Sequence, residues 1–226
     1  MANVTRGKNF KPTKSKILHI VAKKFLEKGY SGTTLRELAG EANVSYSSLI
    51  NIFESKEGLL NELVGHVLEY QRTSVERELA SEKVSPLYRY AVERALQLLM
   101  AESSEHMREM YSISYSLPES SKIIYERCAN RLADIFSDRL KGHTLSDFYE
   151  LELAAAGIMR NYMIAKCDMY FTMKVKLDAL LRTTFRLFLV PEDEIDEIIL
   201  FVGTLDIKGL ADRTLSGLLE YLNEKT

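Results

Sequence analysis

An all-α fold is what this sequence predicts: an N-terminal three-helix domain built on a helix-turn-helix, followed by a larger helical body. Three observations predict it. Apolar residues recur at helical spacing along most of the 226 residues. Helix-start and helix-stop residues punctuate those runs. The chain has only four prolines and no dense Gly or Pro clusters, which disfavours a fold of many short strands and turns.

The first helix follows Thr13, where Ile17, Val21, Phe25 and Leu18, Ala22, Leu26 form two adjacent i, i+4 rows. Gly29 should stop it. His19 is expected on its exposed side. Thr34 followed by Glu37 has capping-box spacing, and Leu35, Leu38, Ala39 and Ala42 then share a face. Gly40 and Asn43 favour an early end. Val44 fills the turn and Ser45 caps a second short helix, with Leu49, Ile50 and Phe53 inward and Tyr46, Ser47, Ser48 and Asn51 outward. Ser55 caps a long helix to about Ala80, whose 25 residues span roughly 37 Å.

Beyond it, helices are expected from Ser85-Pro86 to Ala101, through Met110–Tyr115, and from Glu119 to Leu140. Residues 102–109 read as a polar joint. The most hydrophobic helix is expected from Ser146 to about Phe171, and a similar one from Val175 to Val190. Glu192-Asp193-Glu194 suits a helix N-terminus. A final helix runs near Ile207 to Leu222, and these last helices either cover a subunit interface or complete the core.

Two short helices joined by a tight turn place the N-terminal side chains of the second in the DNA major groove. The same pattern also describes an ordinary helical hairpin. Charge is unevenly divided: residues 1–60 hold ten Lys/Arg against five Asp/Glu, while the remainder holds 20 against 27. A basic module on an acidic body fits a nucleic-acid-binding end.

From Ile17 to Leu60 the chain resembles the N-terminal domain of the TetR family of bacterial transcriptional regulators. The residues carrying the resemblance are Ile17, Ala22, Phe25, Gly29, Tyr30, Thr33, Thr34, Leu38, Ala39, Ala42, Val44, Ser45, Leu49, Phe53, Ser55, Lys56 and Glu57. Asn43 stands where that family usually has Gly, and Ile50 where it usually has Tyr. The resemblance implies a DNA-binding domain at 1–56, with a basic arm at 1–12, and a helical regulatory and dimerisation domain at 57–226. It implies a homodimer on double-stranded palindromic DNA, most simply a repressor, and a small-molecule effector of unknown identity. A role in non-sequence-specific nucleoid or protein binding is the alternative, kept open by Ile50.

By resemblance Thr33, Thr34 and Tyr46 are phosphate contacts. Lys56, at a helix N-terminus, combines a cation with free backbone N–H groups. Ser45, Ser47, Ser48 and Asn51 face outward, with Asn51 able to pair with an adenine edge. Arg36 reaches a groove, a phosphate or only solvent. The expected effector pocket draws on Met107, Tyr111, Tyr125, Cys128, Met159, Tyr162 and Met163, although each of them taken alone reads better as an ordinary core residue. Arg160 is a candidate for an anionic ligand or a surface residue.

No P-loop, GxSxG, HExxH or Gly-rich dinucleotide turn is present, so an enzyme is not expected. Neither a cofactor nor a metal is expected: Cys128 and Cys167 are isolated, and His106 near Glu102 and Glu109 lacks a second His or Cys. With no 18-residue apolar run and a polar, basic N-terminus, the expected location is the cytoplasm, away from the membrane.

Overall fold

Eleven α-helices make up the described residues of the computed structural model, which cover 14–224; the basic arm expected at 1–12 lies outside them. In chain order they are α1 Lys14–Lys28, α2 Leu35–Glu41, α3 Tyr46–Phe53, α4 Lys56–Glu78, α5 Pro86–Glu102, α6 Glu105–Ser114, α7 Pro118–Phe136, α8 Leu145–Ile164, α9 Met173–Leu187, α10 Glu192–Thr204 and α11 Ile207–Glu224. No described helix is long and apolar enough to cross a membrane.

α5 is the axis of the body. It is buried almost all round, and packs on α4, α6, α8, α9, α10 and α11. Its Tyr90 ring meets Phe136, Phe185 and Phe188 edge-on, and Phe136 stacks on Phe188 at 4.3 Å. Such edge-to-face and offset arrangements are the favoured aromatic geometries.

α4 joins the two parts of the molecule. One side of its first turns sends Leu59 and Leu63 into the core made with Ile17, Val21, Phe25, Leu38, Leu49 and Phe53. The neighbouring side sends Leu60 and Val64 into a core with Leu98, Tyr115, Ile124 and Met159. Helical spacing alone makes this possible, since adjacent residues point 100° apart.

Several element boundaries differ from expectation. Residues 102–109 are not a joint: Ser104 accepts a hydrogen bond from the Met107 backbone N–H, so α6 starts at Glu105. α7 stops at Phe136, short of Leu140. α8 ends at Ile164, not near Phe171. The fully buried Lys176 ammonium donates to the Ala165 carbonyl and to Glu102, and the Asp168 carboxylate accepts from the Tyr170 and Phe171 backbone N–H groups at 2.7 Å. A charged cap and an Asx turn therefore end a run whose hydrophobicity alone reads as continuous helix.

His19 is not on a solvent face. Its Nδ1 lies 2.7 Å from the Leu219 carbonyl, because α11 folds back onto α1. Leu218 and Leu222 enter the N-terminal core beside Ile17 and Leu18. An ion pair from Arg213 to Glu78 at 2.8 Å fixes α11 to the far end of α4. The last helix thus completes a core.

Candidate nucleic-acid interface

The turn between α2 and α3 is a Schellman motif. The Val44 N–H donates to Ala39 O at 3.0 Å and the Asn43 N–H to Gly40 O at 3.1 Å. Asn43 sits at φ 53°, the left-handed conformation such a turn requires and which Asn tolerates better than most residues. Ser45 then caps α3, accepting from the Ser48 backbone N–H at 3.1 Å. Leu49 and Phe53 pin the helix to the core. Thr34 caps α2, accepting from the Glu37 N–H at 3.2 Å. The Glu37 carboxylate is drawn chiefly to Lys28, which holds its pKa below the usual range, with the Thr34 backbone a smaller influence.

One surface collects Thr34, Arg36, Ser45, Tyr46, Ser47 and Asn51, all exposed, with Ser48 half-exposed. The hydroxyls of Ser45, Ser47 and Ser48 cluster within 3.0 Å contacts at the start of α3. They can donate or accept, so the group can follow either a phosphate or a base edge. Tyr46 keeps 49% of its surface and Ile52, one residue past Asn51, keeps 42%. Lys14, Lys24 and Lys28 are tied to Glu62, Glu41 and Glu37. Arg36 forms no ion pair among the described residues, so its charge is available to a partner.

Two expected contacts are placed elsewhere. Thr33 is 1% exposed, and its hydroxyl donates to the Gly29 carbonyl at 2.8 Å, which closes the α1–α2 link. Lys56 does not point outward. Its ammonium donates to the Tyr30 carbonyl at 2.5 Å and lies 4.2 Å from the centre of the Tyr30 ring. Burial lowers its pKa, and Glu109 opposes that shift. Both residues hold the turn that positions α2.

The expected pocket residues do not converge. Met107 and Tyr111 line a small apolar cavity under α1, α4 and α6, with Leu60, Val64, Val67 and Tyr115. Cys128 lies on a different, polar cleft between α4, α5 and α7. Met159 and Met163 are packed core, 1% and 0% exposed. Tyr125 and Tyr162 are half-buried against Tyr149 and Phe171. Arg160 donates to the Ser116 hydroxyl at 2.9 Å.

Sequence reasoning missed a polar group inside the body. Arg94, Gln97, Gln71 and Glu152 are all nearly or fully buried. The readable signal was polar residues on faces of α4, α5 and α8 that otherwise pack inward. No cluster of His, Cys, Asp or Glu among the described residues could hold a metal.

The fold and this surface define an all-α helix-turn-helix protein. Residues 17–63 match the family model for bacterial regulatory proteins of the tetR family. An uncharacterised HTH-type transcriptional regulator of Bacillus subtilis (strain 168), YvkB, is 30% identical over 108 residues, 48% of this chain and 53% of its own length. A probable HTH-type regulator of the same organism, YttP, is 39% identical over 62 residues, 27% of this chain and 30% of its own. The matches thus span about half and under a third of these two relatives. Among solved structures, NalD of Pseudomonas aeruginosa, a secondary repressor of a multidrug efflux pump, aligns with a TM-score of 0.43 at 20% identity, over 76% of this chain and 93% of its own. Residues 17–63, the N-terminal domain, are thus similar to the tetR family of bacterial regulatory proteins.

Proposed function

We propose that the protein is a homodimeric, effector-responsive DNA-binding regulator, acting as a repressor on a pseudo-palindromic operator. The observation that carries this reading is the exposed polar face of α3, set by the Schellman turn at Asn43 and flanked by Arg36, which is exposed and makes no ion pair among the described residues. Two copies of α3 enter successive major grooves about one helical turn apart. Thr34, Arg36, Ser45, Tyr46, Ser47, Ser48 and Asn51 make the contacts, with Asn51 reading a base and Arg36 and Tyr46 on the backbone. Thr33 and Lys56 act as positioning residues behind them. The domain division at 56/57 is then a functional one, since α4 itself packs on both sides of it.

The dimer reading rests on a stripe along α8. Leu153, Ala154, Gly157, Asn161 and Ile164 are all exposed at helical spacing, and Val175 of α9 and Leu200 of α10 are exposed as well. Small residues at its centre let a second helix come close. A soluble chain has little reason to present such a stripe to water unless another copy covers it.

The test is binding to DNA upstream of its own gene. Arg36→Ala with Asn51→Ala should weaken it on the order of 100-fold, combining a lost base contact and a lost phosphate contact. Wild-type affinity in that double variant rejects the surface. Equal affinity for all sequences supports the alternative nucleoid-type role, to which the exposed Ile52 beside Asn51 is suited.

A further inference from the structure

We propose that the effector site takes a small monocarboxylate with an apolar body, its carboxylate held by Arg94. This rests on the effector-responsive reading above and adds to it the chemical class of ligand.

Arg94 is 3% exposed, yet it borders a cleft of about 800 Å³ between α4, α5 and α7. Its Nε and Nη1 have no hydrogen-bond partner in the protein. A guanidinium stays protonated at any working pH and carries five donors. Burying it without an acceptor is unfavourable unless something compensates the charge. Glu93 and Glu152 attract it electrostatically, but neither makes an ion pair with it among the described residues. Glu152 is fully buried, forms no ion pair with Arg94, and has both oxygens without a protein hydrogen-bond partner. Burial raises its pKa to about 7 against the opposing pull of Arg94.

Arg72 lies exposed at the rim of the cleft, and the other cations that line it are engaged. Arg131 pairs with Glu93, Arg89 with Glu76 at 3.3 Å, and Arg127 donates to the Gly65 carbonyl at 2.9 Å. Glu69, Glu76 and Asp134 add negative charge to the lining. Of the arginines that line the cleft only Arg94 is buried, and a single buried guanidinium suits a ligand with a single negative charge. The guanidinium fork matches a carboxylate. Leu68 and Ile135 supply an apolar wall, and Leu68 also borders the apolar cavity beneath α6, which gives an apolar body a place to lie.

The site is wired to the moving parts. Gln97, beside Arg94 in the cleft, donates through Nε2 to Gln71 Oε1 at 3.1 Å; Gln71 donates in turn to the Tyr111 hydroxyl. Gln97 Oε1 has no partner of its own. The chain therefore runs from α5 to α4 to α6. A ligand that repositions Gln97 disturbs the hydrogen bond that ties α4 to α6, and so acts through a preference for one of two arrangements.

The experiment uses the full chain and a series of straight-chain acids, acetate, butyrate, hexanoate and octanoate, with the primary amide of each as the uncharged match. Calorimetric titration should show hexanoate or octanoate binding and the matching amide binding on the order of 10- to 100-fold more weakly. Arg94→Met should abolish the difference between acid and amide, while Arg72→Gln at the rim should preserve it. Equal binding of acid and amide to the wild-type chain overturns the proposal, whether or not Arg94→Met folds, and so does failure of every acid to bind. Release from DNA is read separately. Acids that bind through Arg94 without altering DNA affinity leave the site standing and sink the effector reading. DNA release by the amides alone does the reverse.

Discussion

The backbone N–H of Ser31 donates to the Glu109 carboxylate at 3.0 Å. This single bond joins the α1–α2 link to α6. His106 on the same helix adds a contact, its Nδ1 lying 3.1 Å from the Leu26 carbonyl. Gly29, at φ 75°, is held where a Cβ would collide with the Glu109 carboxylate. α6 therefore touches the end of α1 on one side and, through Tyr111, the Gln71 chain on the other.

Gly29→Ala should lower stability by about 2 kcal/mol, from the left-handed backbone and the collision together. Glu109→Ala should cost about 1 kcal/mol, and Glu109→Gln, which keeps an acceptor oxygen, much less. Urea unfolding separates the three. Amide exchange at Ser31 should quicken in Glu109→Ala, and unchanged protection there would show that the bond does not persist in solution.

How much of this was legible depended on the range over which each feature is decided. The α2–α3 turn was legible because its determinants are local: Thr34, Asn43, Val44 and Ser45 act within a few residues of one another. Asn43, expected to help end α2, does so in the left-handed state. The ends of α6 and α8 were not legible in the same way. Ser104 competes with two neighbouring polar residues for the cap, and the Ala165 carbonyl is capped by Lys176 from the next helix. The type and position of Thr33 and Lys56 fit a phosphate contact; that their polar atoms bond to the Gly29 and Tyr30 carbonyls depends on the α1–α2 link, which no local pattern specifies. The buried group at Arg94 needs three helices, α4, α5 and α8, to assemble, and no local pattern announces it.

Asn43 offers a clean test of the turn. Asn43→Gly should leave stability within about 0.5 kcal/mol, because Gly adopts φ 53° freely but gains chain entropy when unfolded. Asn43→Val should cost about 2 kcal/mol, since a β-branched residue is strained there. Thermal unfolding measures both. Equal stability of the Val variant would mean that the turn is not held left-handed.

Glu152 sets a pH dependence whose sign follows from its burial. Its folded pKa is raised from 4.5 to about 7, so between those values the folded chain keeps a proton that the unfolded chain has lost. Raising the pH through this window therefore destabilises the fold, by up to about 3 kcal/mol once pH exceeds 7. Below 4.5 the group contributes nothing in either direction. Glu152→Gln should flatten this part of the profile, as measured by urea unfolding at pH 5, 6, 7 and 8. An equal slope in both chains would place the titration on another group.

The exposed stripe on α8 predicts how the dimer is broken. Leu153 keeps 44% of its surface and Gly157 lies one turn further along the same face. Leu153→Glu with Gly157→Glu would set four carboxylates against one another across a two-fold interface, since each copy supplies the same patch. Sedimentation should then report a monomer with the helical content of the parent. A persistent dimer would move the interface away from α8.

Arg36 and Lys56 should separate by salt dependence. Each phosphate contact contributes about 0.9 to the slope of log affinity against log salt concentration. Arg36 is exposed and makes no ion pair among the described residues, so Arg36→Ala should reduce the slope by about one in each subunit's contact count. Lys56 spends its ammonium on Tyr30, so Lys56→Ala should keep the slope, weaken DNA binding at every salt concentration alike, and lower the unfolding temperature through the loosened α1–α2 link. A reduced slope in Lys56→Ala with an unchanged unfolding temperature would return that side chain to the DNA surface.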